Sequence, residues 1–143
     1  MKFWTSYYGA MKNFTDDYLC VAISLYVPII EKENFKVARE FAPDADLLKD
    51  FKSGKETQDG YKRRYVEHLF KMFTPEKLKR YIKEIEEKYS DKYDNMVFLC
   101  YEKPGDFCHR HIFAKILEIV CGIECKEIDI TKNNEKTKEI ALF

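Results

Sequence analysis

Met96-Val97-Phe98-Leu99-Cys100-Tyr101-Glu102-Lys103-Pro104-Gly105-Asp106-Phe107-Cys108-His109-Arg110-His111 decides how this chain folds. Met96 to Cys100 is apolar without a break, the mark of a strand buried on both faces of a parallel sheet. A Pro-Gly loop follows. Asp106 is the expected N-cap of a helix whose apolar face is Ile112, Phe113, Ile116, Ile119 and Val120, with Gly122 past its end. Cys125 to Ile130 reads as the next strand, so the region forms a βαβ unit with a right-handed crossover. Loop amides and a helix N-terminus converge at such a junction, which is where α/β domains bind ligands.

The flanking sequence extends the same pattern. Lys2 to Tyr8 reads as a first strand ending at Gly9, and Leu19 to Val27 as a second buried strand stopped by Pro28. The stretch between them is short for a crossover helix. Glu31 to Pro43 reads as connection. Asp44 caps a short helix carrying Leu47, Leu48 and Phe51, ended by Ser53-Gly54. A longer helix from about Asp59 to Phe73 lines Tyr61, Tyr65, Leu69, Met72 and Phe73 along one stripe. Thr74-Pro75 is a cap followed by proline at the first helical position, and opens a helix with Leu78, Tyr81, Ile82, Ile85 and Tyr89 inward. Strands separated by helices predict a layered α/β domain with a mainly parallel sheet. Residues 1–143 are expected to form one domain, with 131–143 a loosely docked tail ending Ile140-Ala141-Leu142-Phe143.

Composition narrows the function classes. Hydrophobic residues at 45% are enough for a packed core. Lys and Arg number 25 and so do Asp and Glu, leaving no cation surplus for the counterion-release term that drives non-specific nucleic-acid binding. Strong binding of that kind is not expected, and Lys62-Arg63-Arg64 reads as part of a solvated helix face. No apolar run approaches the roughly 20 residues that cross a bilayer, so no membrane partner is expected. The opening MKFWTSYYGAMKN turns polar too soon for a secretory signal. Five cysteines are an odd number, and Cys20, Cys100 and Cys121 sit in apolar runs. They are expected to be reduced thiols, and the protein cytoplasmic. Nothing in the composition points to an oligomeric state.

The string VFLCYEKPGDFCHRHIFAKIL (97–117) resembles the hallmark segment of the family known as domain of unknown function 488. Three further stretches resemble it in order and spacing: Phe3 to Tyr8, Ala22 to Pro28, and Phe41 to Lys55. The resemblance covers nearly the whole chain and implies a Rossmann-like three-layer architecture. It carries no assigned activity, so it implies where a site lies rather than a reaction. Much of the family has Asp-x-Arg at the end of the second strand, where this chain has Ser24-Leu25-Tyr26. A role for that arginine does not carry over.

Site candidates gather at the carboxyl ends of the expected strands. Cys108 falls in the opening turn of its helix, beside His109 and Arg110. Two functional readings stand there. Arg110 and the free amides can hold a phosphate or carboxylate, or Cys108 can ionise and react. A buried structural cysteine with bracing neighbours is the bland alternative. Glu102 follows the strand directly and is a candidate acid, base or hydroxyl acceptor. Cys108, His109 and Glu102 are therefore the catalytic candidates. Thr5, Ser6, Tyr7, Ser24 and Tyr101 would line the same crevice as Arg110, Cys108, His109 and Glu102, with a tyrosine available to stack on a planar ring. The expected ligand is a small anionic molecule, a nucleotide or phosphorylated metabolite, which the protein binds and can process. The rivals are a cysteine-dependent enzyme using Cys108 and a nucleic-acid or protein interaction module on the Tyr61–Phe73 helix. Arg110 is only two positions past Cys108, too close for a phosphatase-type loop, and no Gly-rich phosphate cradle is present. No cofactor is named by any motif. Cys108, His109, His111, Cys121 and Cys125 lack a Cys-x2-Cys knuckle, and Cys121 lies about three turns beyond Cys108, so no metal is expected.

Overall fold

A computed structural model describes residues 1–129. Ile130 and the expected tail 131–143 lie outside the described residues. Among the described residues five strands form one sheet: β1 (Lys2–Tyr7), β2 (Tyr18–Ala22), β3 (Phe35–Val37), β4 (Asn95–Cys100) and β5 (Cys125–Glu127). Their order is β3-β2-β4-β1-β5, and every pairing is parallel. This is a Rossmann-like α/β fold. Tyr7 pairs with Cys100 and Ala22 with Leu99, so β1, β4 and β2 finish nearly level.

Central β4 is buried along all six residues, as its unbroken apolar run requires. Met96 and Phe98 face one side with Phe113 and Leu117, while Val97 and Leu99 face the other with Cys20 and Ala22. The first side carries the helices α1 (Ala45–Lys52), α2 (Gln58–Met72), α3 (Pro75–Tyr89) and α4 (His109–Cys121). On the second side Tyr8 and Met11 of a 3-10 turn, together with Val27 and Ile30, close the layer. The β1–β2 connection that looked too short for a crossover helix is that 3-10 turn.

Helix boundaries follow side-chain chemistry. Asp44 Oδ1 accepts from the Leu47 amide at 2.7 Å, and the Thr57 hydroxyl from Gly60 at 3.0 Å. Thr74 accepts from Lys77 at 3.2 Å, with Pro75 at the first helical position. Gly122 ends α4 at φ 66°, the left-handed conformation a side chain resists. Replacing Asp44 by alanine leaves the first turn of α1 with an unpaired amide and is expected to lower stability by about 1 kcal/mol. A urea midpoint equal to that of the parent protein would deny the cap any role.

The Glu31–Pro43 stretch read as connection holds β3, whose backbone pairs with β2, and β5 ends at Glu127, short of the expected Ile130. Two further boundaries differ from expectation. The second strand stops at Ala22 instead of reaching Val27. Ile23 adds one last bond to Leu99 O at 3.0 Å, then the Ser24 hydroxyl binds Tyr26 O at 2.6 Å and the chain turns. Val27 and Ile30 after it pack on the sheet rather than extend it, while Tyr26 and Ile29 are exposed. Helix α4 has Cys108, not Asp106, as its N-cap residue, with no side-chain cap bond. Phe107 packs on Phe51 and Tyr61, and the Cys108 sulfur is tied to Cys100, so the backbone enters the helix only after both are anchored. Asp106 lies in the preceding turn, its amide donating to Lys103 O at 3.1 Å. Among the described residues no helix is long and apolar enough to cross a membrane.

Candidate functional site

The chain leaves β1 over one face of the sheet and leaves β4 over the other, toward α4. Neighbouring parallel strands whose connections part in this way open a crevice at their carboxyl ends. Two clusters and a groove meet there.

The first cluster is built on Arg110, which is 0% exposed. Its Nε donates to Glu127 Oε1 at 3.0 Å and its Nη2 to Glu127 Oε2 at 2.8 Å, a two-pronged bond to the carboxylate at the end of β5. Nη1 donates to the Glu102 main-chain oxygen at 2.6 Å and to Cys100 Sγ at 3.0 Å. The Thr5 hydroxyl donates to Glu127 Oε1 at 2.6 Å. Burial alone would raise the Glu127 carboxyl, but the bonds from Arg110 and Thr5 bring it below its ordinary value. The arginine fork expected to face a ligand is filled by Glu127.

Next to it, Cys100 and Cys108 are drawn together as a disulfide, with Cα atoms 7.6 Å apart, where the composition had suggested reduced thiols. Among the described residues Cys20, Cys121 and Cys125 are free. His109 is buried and its Nε2 lies 2.7 Å from Ile23 O. A carbonyl only accepts, so Nε2 carries the proton and the Nδ1 lone pair faces Cys108 Sγ at 3.8 Å. Burial, only partly offset by the Ile23 carbonyl and reinforced by the Arg110 and His111 charges, brings the imidazole down to about 4. His109 is therefore neutral at neutral pH.

The second cluster lies on the opposite face. Ser24 donates to Tyr26 O, so the Tyr8 hydroxyl donates to Ser24 Oγ at 2.5 Å. Tyr101, 50% exposed, meets Tyr8 edge to face with centroids 4.7 Å apart. Burial is the main reason that Tyr8 is pushed up to about 12. Ser6 Oγ is buried and has no hydrogen-bond partner among the described residues. Tyr7 is partly buried, and the Glu102 side chain is exposed.

The expected site residues thus divide. Arg110, Cys108, His109 and Thr5 come together on the helical face, and Ser24 and Tyr101 on the other. Glu102 takes part through its main-chain oxygen. Sequence reading missed Cys100 and Glu127. Cys100 could have been found as the last residue of a buried strand, eight positions before a second cysteine. Glu127 carries no local signal, because β5 reaches Arg110 only by crossing to the far side of β1.

A groove of about 680 Å³ opens between α2 and α4. Val66, Phe70, Ile112 and Ile116 give it apolar walls, Cys108 lines it, and Lys62, His111 and Lys115 add positive or titratable groups. The Lys62-Arg63-Arg64 triplet is not a continuous basic patch. Arg64 is bound to Asp50 at 2.9 Å and Glu56 at 3.2 Å.

The profile of a family named DUF488-N3a, described as "Active DUF488-N3 subclade", matches residues 25–119. The chain belongs to the DUF488 family. The matched span of this DUF488 chain holds β4, Cys100, Cys108, His109 and Arg110, while Thr5 and Glu127 of the same cluster lie outside it. No curated protein and no solved structure matches the chain.

Proposed function

We propose that this DUF488 protein binds a small molecule with an anionic group and an apolar portion, and acts on it chemically, in the groove beside Cys108. A nucleotide or phosphorylated metabolite has the required form. The observation that carries this reading is the groove itself, where an apolar bed from α2 and α4 combines with Lys62, Lys115 and His111 and ends at a sulfur. Among the described residues no salt bridge neutralises Lys62 or Lys115, in contrast to Arg110. The word "Active" in the description of the matching subclade supports turnover as well as binding.

The test is calorimetric titration with nucleotides, sugar phosphates and apolar carboxylates. Ligands with an apolar portion are expected to bind. Lys62→Ala and Lys115→Ala should each weaken them by up to about tenfold, about 1.4 kcal/mol. Ile116→Trp, which fills the groove, should abolish binding while thermal unfolding remains cooperative. Full affinity in Ile116→Trp would sink the reading. A second reading, Cys108 as nucleophile once the Cys100–Cys108 disulfide is reduced, draws on the 3.8 Å approach of His109 Nδ1 to its sulfur. Loss of turnover in Cys108→Ser, accompanied by a covalent adduct on the parent protein, would favour it.

A further inference from the structure

We propose that Cys100, Cys108 and His109, with both thiols reduced, form a zinc site. Their donor atoms all lie within 4.8 Å of one another, and all three residues are buried. A tetrahedral zinc with Zn–S bonds near 2.3 Å and a Zn–N bond near 2.0 Å places its donors about 3.5–3.8 Å apart. Cys108 Sγ and His109 Nδ1 already stand 3.8 Å apart. The 7.6 Å between the Cys100 and Cys108 Cα atoms exceeds the roughly 4.4–6.8 Å that disulfides usually span. An ion between the two sulfurs lengthens their reach and accommodates that separation.

The surroundings complete the argument. The Ile23 carbonyl holds His109 Nε2–H and turns the Nδ1 lone pair to the sulfurs, the orientation a metal-binding imidazole requires. Arg110 Nη1 donates to Cys100 Sγ, which favours the thiolate. Charges balance, since two thiolates neutralise Zn²⁺ and Glu127 neutralises Arg110. The donors come from the end of β4 and the start of α4, so little ordering remains for the ion to impose. Two thiolates and one imidazole suit zinc and offer nothing to magnesium or calcium. Three protein ligands leave a fourth position for water or substrate, the pattern of a catalytic rather than a closed structural zinc. Cys108 lines the groove, which sets the zinc site at one end of the proposed ligand bed. That last connection rests on the proposed ligand site; the zinc site does not.

The experiment uses full-length protein, stripped of metal and kept reduced with a phosphine, without any organic ligand. Zinc is titrated against a chromophoric chelator, and cobalt is added as a spectroscopic probe. One equivalent should bind, and cobalt should show thiolate charge-transfer and tetrahedral d–d bands. Cys100→Ser and Cys108→Ser should each weaken zinc binding at least about 100-fold. His109→Gln should weaken it as well, while Cys121→Ser and Cys125→Ser leave it unchanged. Circular dichroism separates loss of the site from loss of fold, and the near-isosteric serine variants serve if His109→Gln does not fold. Failure of the folded parent protein to bind zinc or cobalt overturns the proposal, as does undiminished binding in both Cys100→Ser and Cys108→Ser. Ile116→Trp should retain zinc even though it excludes the groove ligand, so the two readings fail separately.

Discussion

Replacing Glu127 by glutamine is expected to lower stability by about 3 kcal/mol, the lower end of the range for removing one partner of a buried ion pair. Arg110 has no exposed surface, and Glu127 supplies the only carboxylate bound to it among the described residues. The amide in Glu127→Gln keeps the shape of the side chain but leaves the guanidinium charged and dry. The Glu127 side chain is 23% exposed, which lets water soften the loss and sets the estimate at the low end. Arg110→Leu combined with Glu127→Leu should recover part of it, because the uncompensated charge is then gone. Recovery stays incomplete, since Arg110 also ties Glu102 O and Cys100 Sγ. Urea unfolding of the two single variants and the pair measures this. Unchanged stability in Glu127→Gln would mean that Arg110 is not a brace, and would return its fork to ligand binding.

Alkaline unfolding should be steep. Tyr65 is fully buried with its hydroxyl donating to Phe41 O at 2.6 Å, and burial, helped by Tyr61, raises it well above 10. Tyr61 is raised as well, by burial first and then by the charges of Glu102 and Asp44. A phenol raised on folding ionises first in the unfolded chain. Its contribution is therefore complete below the unfolded value near 10 and is lost as pH rises above it. Tyr65 alone should make stability fall by up to roughly 1 kcal/mol per pH unit above 10. Phenolate absorbance should show a group of tyrosines ionising together with unfolding, after the exposed ones. Tyr65→Phe should flatten the fall, while losing about 1 kcal/mol at neutral pH with the Phe41 bond. Stability that stays level from pH 9 to pH 12 would contradict the buried-phenol account.

Arg110 and Cys108 lie at the β4–α4 junction the sequence points to, and only the fold shows what they touch. The helix junction was legible because β4 and α4 adjoin in sequence, and their residues approach through a local turn. What each side chain touches there was not. Glu127 reaches Arg110 from 17 residues away, and Thr5 reaches Glu127 from 122. No spacing rule reports such distances. The metal-ligating residues show the same difference. Sequence offers Cys121 and Cys125 as partners for Cys108, yet β5 begins at Cys125 and α4 ends at Cys121, at the far end of the helix from Cys108. Cys100, passed over as a strand residue, is the one whose sulfur Cys108 meets.

By itself the sequence determined the parallel α/β class, the buried central strand, the Asp44 and Thr74 caps and the Gly122 stop. These depend on periodicity and on bonds between residues at most a few positions apart. Only the tertiary structure decided the strand order, the closure of the second face by a 3-10 turn, the filling of the arginine fork by Glu127, and the meeting of Cys100, Cys108 and His109. Those depend on how the sheet is wound. Placing β4 between β1 and β2 brings side chains from distant segments to one edge, and that placement is settled by packing of the whole core rather than by any local pattern.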